Sequence, residues 1–218
     1  MGKTVVASAI ITAMREAGVR VAPMKPIGRK SEPGRANDAE QLRAASGMLF
    51  PLELIQPLTF PDYATPLVAA RRARVPIDVA MLDGAFGELC THSDAVVVED
   101  SGGLLAPITE SETFATLFRR WGLSLVIVSP NSVGAVNQVM LAAHAARAHH
   151  LPIRAVVLTT LTRERGGAAE RTNQAVLKEL LLRVPVVSFP YASSPSDPGQ
   201  LIAWARDLSA YATIARPA

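Results

Sequence analysis

Gly2-Lys3-Thr4 stands at the head of an amphipathic run in which Val6, Ala9, Ile10, Ala13, Met14 and Ala17 recur at three- and four-residue spacing, with Gly18 behind them. These three residues form the tail of the phosphate-binding pattern G-x-x-x-x-G-K-S/T. In that pattern amides at a helix N-terminus surround phosphates, the lysine reaches the β and γ oxygens, and the hydroxyl binds Mg²⁺. So short a match is also what a plain helix start shows. A doubly wound nucleotide fold places a buried strand before this loop, and the expectation is that the natural protein extends upstream of Met1.

Three further groups have the same double reading. Val96-Val97-Val98-Glu99, followed by Asp100-Ser101-Gly102-Gly103, puts a carboxylate at the end of an apolar strand. Open α/β sheets bind ligands at that end, and Mg²⁺ takes one or two carboxylates beside substrate phosphates; a solvated turn acid is the alternative. Lys25, in Met24-Lys25-Pro26, is a strand-end charge that can face a phosphoryl group or simply solvent. Asp38, in Asn37-Asp38, is a metal ligand or an acid favoured by the helix dipole. Pro130 to Asn137 joins a strand to a helix, so the amides around Gly134, Ala135 and Asn137 form an anion site or a structural cap. Cys90, the only cysteine, is read as a small buried apolar residue and not as a nucleophile.

The elements that must position these groups are legible as alternating runs. Val19–Met24, Ala95–Glu99, Leu123–Ser129, Ile153–Thr159 and Val184–Phe189 are short and apolar at consecutive positions, as parallel strands buried on both faces are. Helical stripes separate them: residues 4–17, the stretch from Asn37 to Ala45, Phe114–Trp121 behind a capping-box pattern at Thr109 to Glu112, Val136–Ala146, and 167–182 with Leu177, Leu180 and Leu181 inward. Gly28 to Gly34 reads as a mobile charged loop and Pro51 to Pro66 as a long irregular crossing. The prediction is a single α/β domain over residues 1–218, with a mostly parallel sheet and helices on both faces in three layers, lacking its first strand.

Composition narrows the partners. Of 218 residues, 49% are hydrophobic but only 5% aromatic, and 22 basic against 19 acidic side chains leave a formal charge of +3 without any long basic block. A basic groove interleaved with stacking aromatics is therefore missing, which argues against nucleic acid. No apolar run approaches the roughly 18 residues that would span a bilayer. One cysteine allows no internal disulfide, so a reducing cytoplasm is the expected location.

Taken in order, Gly2-Lys3-Thr4-Val5-Val6, Lys25-Pro26, Asn37-Asp38-Ala39, Thr65-Pro66, Val98-Glu99 with Gly102-Gly103, Pro107-Ile108 and Gly134-Ala135-Val136-Asn137 resemble the dethiobiotin synthetase family of P-loop NTPases over about residues 1 to 160. Val184 to Tyr191 is similar to that family's late strand and turn. The resemblance implies ATP and Mg²⁺ as cofactors, with Gly2, Lys3, Thr4, Glu99 and Gly102 at the nucleotide and Thr4, Asp38 and Glu99 around the metal. Lys25 and Lys3 would be catalytic. Lys25, Gly134, Ala135 and Asn137 would bind substrate, the last three across the interface of a homodimer; Arg29, beside the substrate, reads from its own chemistry as a phosphate clamp or as a solvated loop charge. It implies a reaction in which CO₂ adds to an amine of 7,8-diaminononanoate, ATP phosphorylates the carbamate, and the neighbouring amine closes a ureido ring. Arg29-Lys30 departs from the small hydroxyl residue and Gly expected there, and Thr159 stands near the place of an expected Asn. Another ATP-dependent ligase of the same superfamily, or a non-catalytic relative that keeps the fold, would share most of these residues.

Overall fold

The computed structural model describes residues 2–32, 34–62, 64–160 and 167–189. The first helix, α1 (Lys3–Glu16), starts at Gly2, whose φ of 79° is left-handed. Gly2 also lies against Thr159, where a Cβ would come within 3.1 Å of the threonine methyl. Both conditions select glycine at this position. The helix ends where the Gly18 and Val19 amides bond back to Arg15 and Met14, a C-terminal motif with Gly18 at a φ of 82°. Strand β1 (Val21–Met24) therefore begins two residues later than predicted.

The chain continues through β2 (Ile27–Arg29), α2 (Asp38–Ala45), α3 (Leu52–Ile55), β3 (Leu58–Phe60), α4 (Pro66–Ala73) and α5 (Val79–Thr91). It then runs through β4 (Ala95–Val98), α6 (Phe114–Arg120), β5 (Leu125–Pro130), α7 (Ala135–Ala148), β6 (Ile153–Thr159), α8 (Ala168–Leu180) and β7 (Val186–Phe189). All strand pairings among the described residues are parallel: β1 with β4, β2 with β3, and β5–β6–β7 as a triple. One edge of β4 and one edge of β5 are unpaired among the described residues.

Side-chain parity shows how these pieces share layers. Along β6, Ala155 and Val157 pack with α1, while Val156 and Leu158 pack with α7 and α8. Along β4, Ala95 and Val97 join the same α1 cluster and Val96 and Val98 turn toward α5. Successive strand residues point to opposite faces, so α1 covers one face of both the β1–β4 pair and the β5–β6–β7 triple. Helices α5, α7 and α8 close the other side. This is the predicted three-layer α/β arrangement.

Several local expectations need correction. Gly28 and Arg29 are not loop but strand β2, and Pro51 to Pro66 holds α3 and β3. Helices α4 and α5 were not predicted, although Thr65-Pro66 and Asp78 mark their starts; the Asp78 carboxylate accepts from the amides of Ala80 and Met81. Thr109 does not cap α6. Its hydroxyl serves a tight turn, accepting from the amides of Ser111 and Glu112, while Thr113 precedes the helix and its amide bonds Thr116. Leu180 faces outward, 50% exposed, whereas Leu177 and Leu181 are inward. Cys90 is only half-buried on α5. Pro190 and Tyr191 lie outside the described residues.

Candidate active site

The site forms where the carboxyl ends of β1 and β4 meet the N-termini of α1 and α2. Register pairs Met24 with Val98, and the Glu99 amide bonds the Met24 carbonyl at 2.8 Å, so Lys25 and Glu99 emerge side by side. Lys25 Nζ lies 2.8 Å from Glu99 Oε1, 3.0 Å from Asp38 Oδ2 and 3.1 Å from the Asp100 carbonyl. Thr4 Oγ1, in the first turn of α1, donates to the same Glu99 Oε1 at 3.0 Å. Lys3 reaches past it to Asp100 Oδ1 at 2.8 Å.

Asp38 is delivered by a capping box. Asn37 Oδ1 accepts from the Glu40 amide, Glu40 Oε2 accepts from the Asn37 amide, and Asn37 Nδ2 donates to the Arg29 carbonyl. The start of α2 is thereby tied to strand β2, and Asp38 is held over Lys25.

These groups line one cavity of about 630 Å³. Gly2, Lys3, Thr4, Lys25, Arg29, Asp38, Glu99 and Gly102 from the sequence reading all border it, joined by Phe60, Asp62, Ala69, Asp100 and Ser101. Gly134, Ala135 and Asn137 do not border it. Gly134 precedes α7 with a φ of 89°, and its loop is fastened to α8, where Asn173 donates to Asn131 Oδ1 and the Ser132 carbonyl. Thr159 is buried behind Gly2 and donates to the Ser129 carbonyl. Arg29 is at the cavity wall with its guanidinium on Glu32, 2.7 Å away. Phe60 and Ala69 were not anticipated because β3 and α4 were not.

The charges are coupled. Burial opposes the ammonium of Lys25, but Glu99 and then Asp38 more than offset it, holding Lys25 above its ordinary value. Burial likewise works against ionised Asp38; Lys25 outweighs it, with Thr4 and Lys3 adding, and the carboxyl is held below its usual range. At Glu99 burial wins. Its carboxyl is pushed above the usual range despite Lys25 and Thr4, and Asp38 adds to the rise.

Glu99 Oε2 is buried without a hydrogen-bond partner. A buried carboxylate oxygen left unpaired is costly, and a cation would satisfy it. Thr4 Oγ1, Asp38 and Glu99 are hard oxygen donors of the kind Mg²⁺ takes when phosphates and water complete its shell. The described residues contain no three-residue cluster of His, Cys, Asp or Glu arranged to hold a metal unaided. The donor set thus fits a phosphate-bound Mg²⁺ better than an all-protein cage.

A family described as an AAA domain matches residues 1–193. The ATP-dependent dethiobiotin synthetase BioD of Anaeromyxobacter dehalogenans is 37% identical over 191 residues, covering 88% of this chain and 85% of that protein. The protein of the same name from Nitrosospira multiformis is 32% identical over 216 residues, covering 99% and 91%. That of Thermodesulfovibrio yellowstonii is 29% identical over 196 residues, covering 83% and 80%. The AAA-domain match over residues 1–193 spans β1, α2, β4 and α7 and so includes the residues gathered above; with these relatives, the chain belongs to the dethiobiotin synthetase family of AAA-domain proteins.

Proposed function

We propose that this chain is an ATP- and Mg²⁺-dependent dethiobiotin synthetase, carboxylating 7,8-diaminononanoate and closing its ureido ring as one step of biotin synthesis. The convergence of Lys3, Thr4, Lys25, Asp38 and Glu99 on one cavity, with Glu99 Oε2 left for a cation, carries this reading. Mg²⁺, held by Thr4, Asp38 and Glu99, would neutralise phosphate charge and keep the transferring group in line.

In this reading Lys3 and the amides at the start of α1 grip the β and γ phosphates, and Gly102, at a φ of 98° and close against Ala106, shapes the facing loop at the cavity edge. Lys25 is fixed by Glu99 and Asp38 and stays charged, so it can hold a carbamate anion against the incoming phosphoryl group. Arg29, restrained by Glu32, borders the substrate end. The residues gathered in the cavity supply charge and placement without a protein nucleophile, as expected when catalysis rests on positioning and electrostatic stabilisation. Burial raises the Cys90 thiol, which suits an inert residue on α5.

The working unit is a homodimer in the cytoplasm, with the whole chain forming one domain. Val133 is 85% exposed and Leu141 63% exposed, and Asn137 lies between them on the outer face of α7. Two exposed apolar side chains flanking Asn137 are compatible with a partner surface there. Pairing there would bring the amides around Gly134, Ala135 and Asn137 to the partner's cavity, where they would receive the substrate carboxylate. The described residues include no helix long and apolar enough to cross a membrane.

A coupled assay with diaminononanoate, bicarbonate, Mg²⁺ and each nucleoside triphosphate tests the proposal. Dethiobiotin formation with stoichiometric release of ADP is the expected result. Tight ATP binding with no product under any condition would point instead to a fold-conserving relative without turnover.

A further inference from the structure

Asp100 directly follows Glu99 and has no part in the mechanism above, yet its carboxylate is the partner of Lys3. The ion pair is short, 2.8 Å, and about four-fifths buried on both sides, with side-chain exposures of 20% and 17%. The carboxylate is fixed from a second direction, since Oδ1 also accepts from the Gly103 amide at 3.2 Å. The Asp100 carbonyl is in turn bonded by Lys25. Three carboxylates, of Asp38, Glu99 and Asp100, face the ammonium groups of Lys3 and Lys25, and each ammonium is already paired. An entering anion must therefore compete with a carboxylate for Lys3.

We propose that Asp100 is a positioning residue that holds Lys3 and releases it only to a polyphosphate, so that the cavity takes nucleotides and turns away inorganic phosphate. The inference rests on the reading of Lys3 as a phosphate ligand. A single phosphate replaces one anionic contact on Lys3 by another and gains little, while it meets the negative excess of the cavity. A triphosphate brings a divalent cation and also reaches the amides at the N-terminus of α1, so the exchange is favourable. After phosphoryl transfer, recapture of Lys3 by Asp100 helps the product phosphate to leave.

The test is a double-mutant cycle read by calorimetry on wild type, Asp100→Asn, Lys3→Ala and the double variant, titrated with Mg-ATP, inorganic tripolyphosphate and inorganic phosphate. Asn removes the charge and keeps an oxygen for the Gly103 amide. Asp100→Asn should tighten ATP and tripolyphosphate about tenfold, the loss of one charge-assisted contact to compete against, and should make binding of inorganic phosphate measurable. Neither change should occur when Lys3 is already Ala. Unchanged or weaker binding in Asp100→Asn overturns the proposal. So does an equal gain in the Lys3→Ala background, which is what removing any negative charge from the cavity would do. Asp100→Ser, which removes the charge and retains a hydroxyl for the loop, should repeat the result and serves if the Asn variant does not fold. If wild type binds tripolyphosphate but not ATP, the nucleotide reading fails and the tripolyphosphate cycle still decides Asp100. Binding of neither, by wild type or by Asp100→Asn, overturns both.

Discussion

Two strand-to-helix corners lie at the carboxyl ends of the sheet, and they are built from opposite chemistry. At β1 and β4 the chain gathers Lys25, Asp38, Glu99 and Asp100, ionised groups packed against one another with one carboxylate oxygen unsatisfied. At β5 the loop before α7 is closed by neutral amides: Asn131 donates to the Glu170 carbonyl, and Asn173 donates to Asn131 and Ser132. Buried ion pairs are a poor source of stability because desolvation consumes most of their attraction, whereas satisfied neutral hydrogen bonds are modestly favourable. Within one protomer the β5 corner is thus held by its own hydrogen bonds, while the β1–β4 corner keeps a buried carboxylate oxygen that a cation would satisfy.

Substitutions can break this contrast, and the largest effect is expected at Lys25. Lys25→Ala should lower kcat by about 10²–10³, the loss typical of a group that stabilises developing charge, with nucleotide affinity nearly retained; steady-state kinetics beside calorimetry separates the two. Lys3→Ala should instead weaken ATP binding by about 1.5–3 kcal/mol, as for a charge-assisted hydrogen bond. An unchanged affinity would remove Lys3 from the phosphate site.

Acidification sharpens the contrast further. Glu99 has a raised carboxyl pKa, so its ionised form costs stability above the unfolded value, and this cost is relieved as pH falls through the raised value. Asp38 is shifted the other way: its contribution is present above the unfolded pKa and lost only as pH falls through its depressed value. Lys25 contributes fully below its unfolded pKa and loses that contribution only as pH rises through its raised value. Mg²⁺ affinity should therefore decline on acidification at a pH above the usual carboxylate range, before the fold loses stability. Paired metal titrations and thermal melts across pH would show it. In Glu99→Gln, metal affinity should be low and should lack that pH step.

At the neutral corner Asn173→Ala should cost about 1 kcal/mol, since it removes two hydrogen bonds to half-buried acceptors, and should leave ATP affinity within about twofold; denaturant unfolding and calorimetry report both. The smallest effect is expected at Arg29. Its guanidinium is 40% exposed and engaged with Glu32, so Arg29→Ser should raise the substrate KM by no more than about fivefold, the scale of an exposed ion pair, without altering ATP binding.

The contrast also marks what the sequence could disclose. Lys25 and Glu99 were legible because each sits at the end of an apolar run, and parallel α/β architecture sends such ends to one edge; Gly2, Lys3 and Thr4 were legible as the tail of a phosphate-binding pattern at a helix start, and Asp38 as an acid heading a helix in the ordered resemblance. Strands β2 and β3 were hidden: each has three residues, too few for any periodicity. Helix α5 was hidden by Gly84 and Gly87 inside it, which weaken the helical signal. Leu180 was misread because its three-residue spacing from Leu177 is also compatible with the inward face, whereas in the structure Leu177 and Leu181 fill that face and Leu180 is exposed. The pairing of Asp100 with Lys3 left no trace, since it joins residues 97 positions apart on different elements.

ATP-dependent closure of a ureido ring whose carbonyl carbon comes from CO₂ is the activity proposed for the charged corner. It is tested most directly by turnover with ¹³C-bicarbonate, ATP, Mg²⁺ and 7,8-diaminononanoate, following product mass and phosphate release in wild type and Lys25→Ala. One ¹³C in each dethiobiotin, one phosphate released per ring, and loss of both in Lys25→Ala is the predicted result. ATP hydrolysis without a labelled ring, or a labelled ring formed at undiminished rate by Lys25→Ala, would overturn the proposed function.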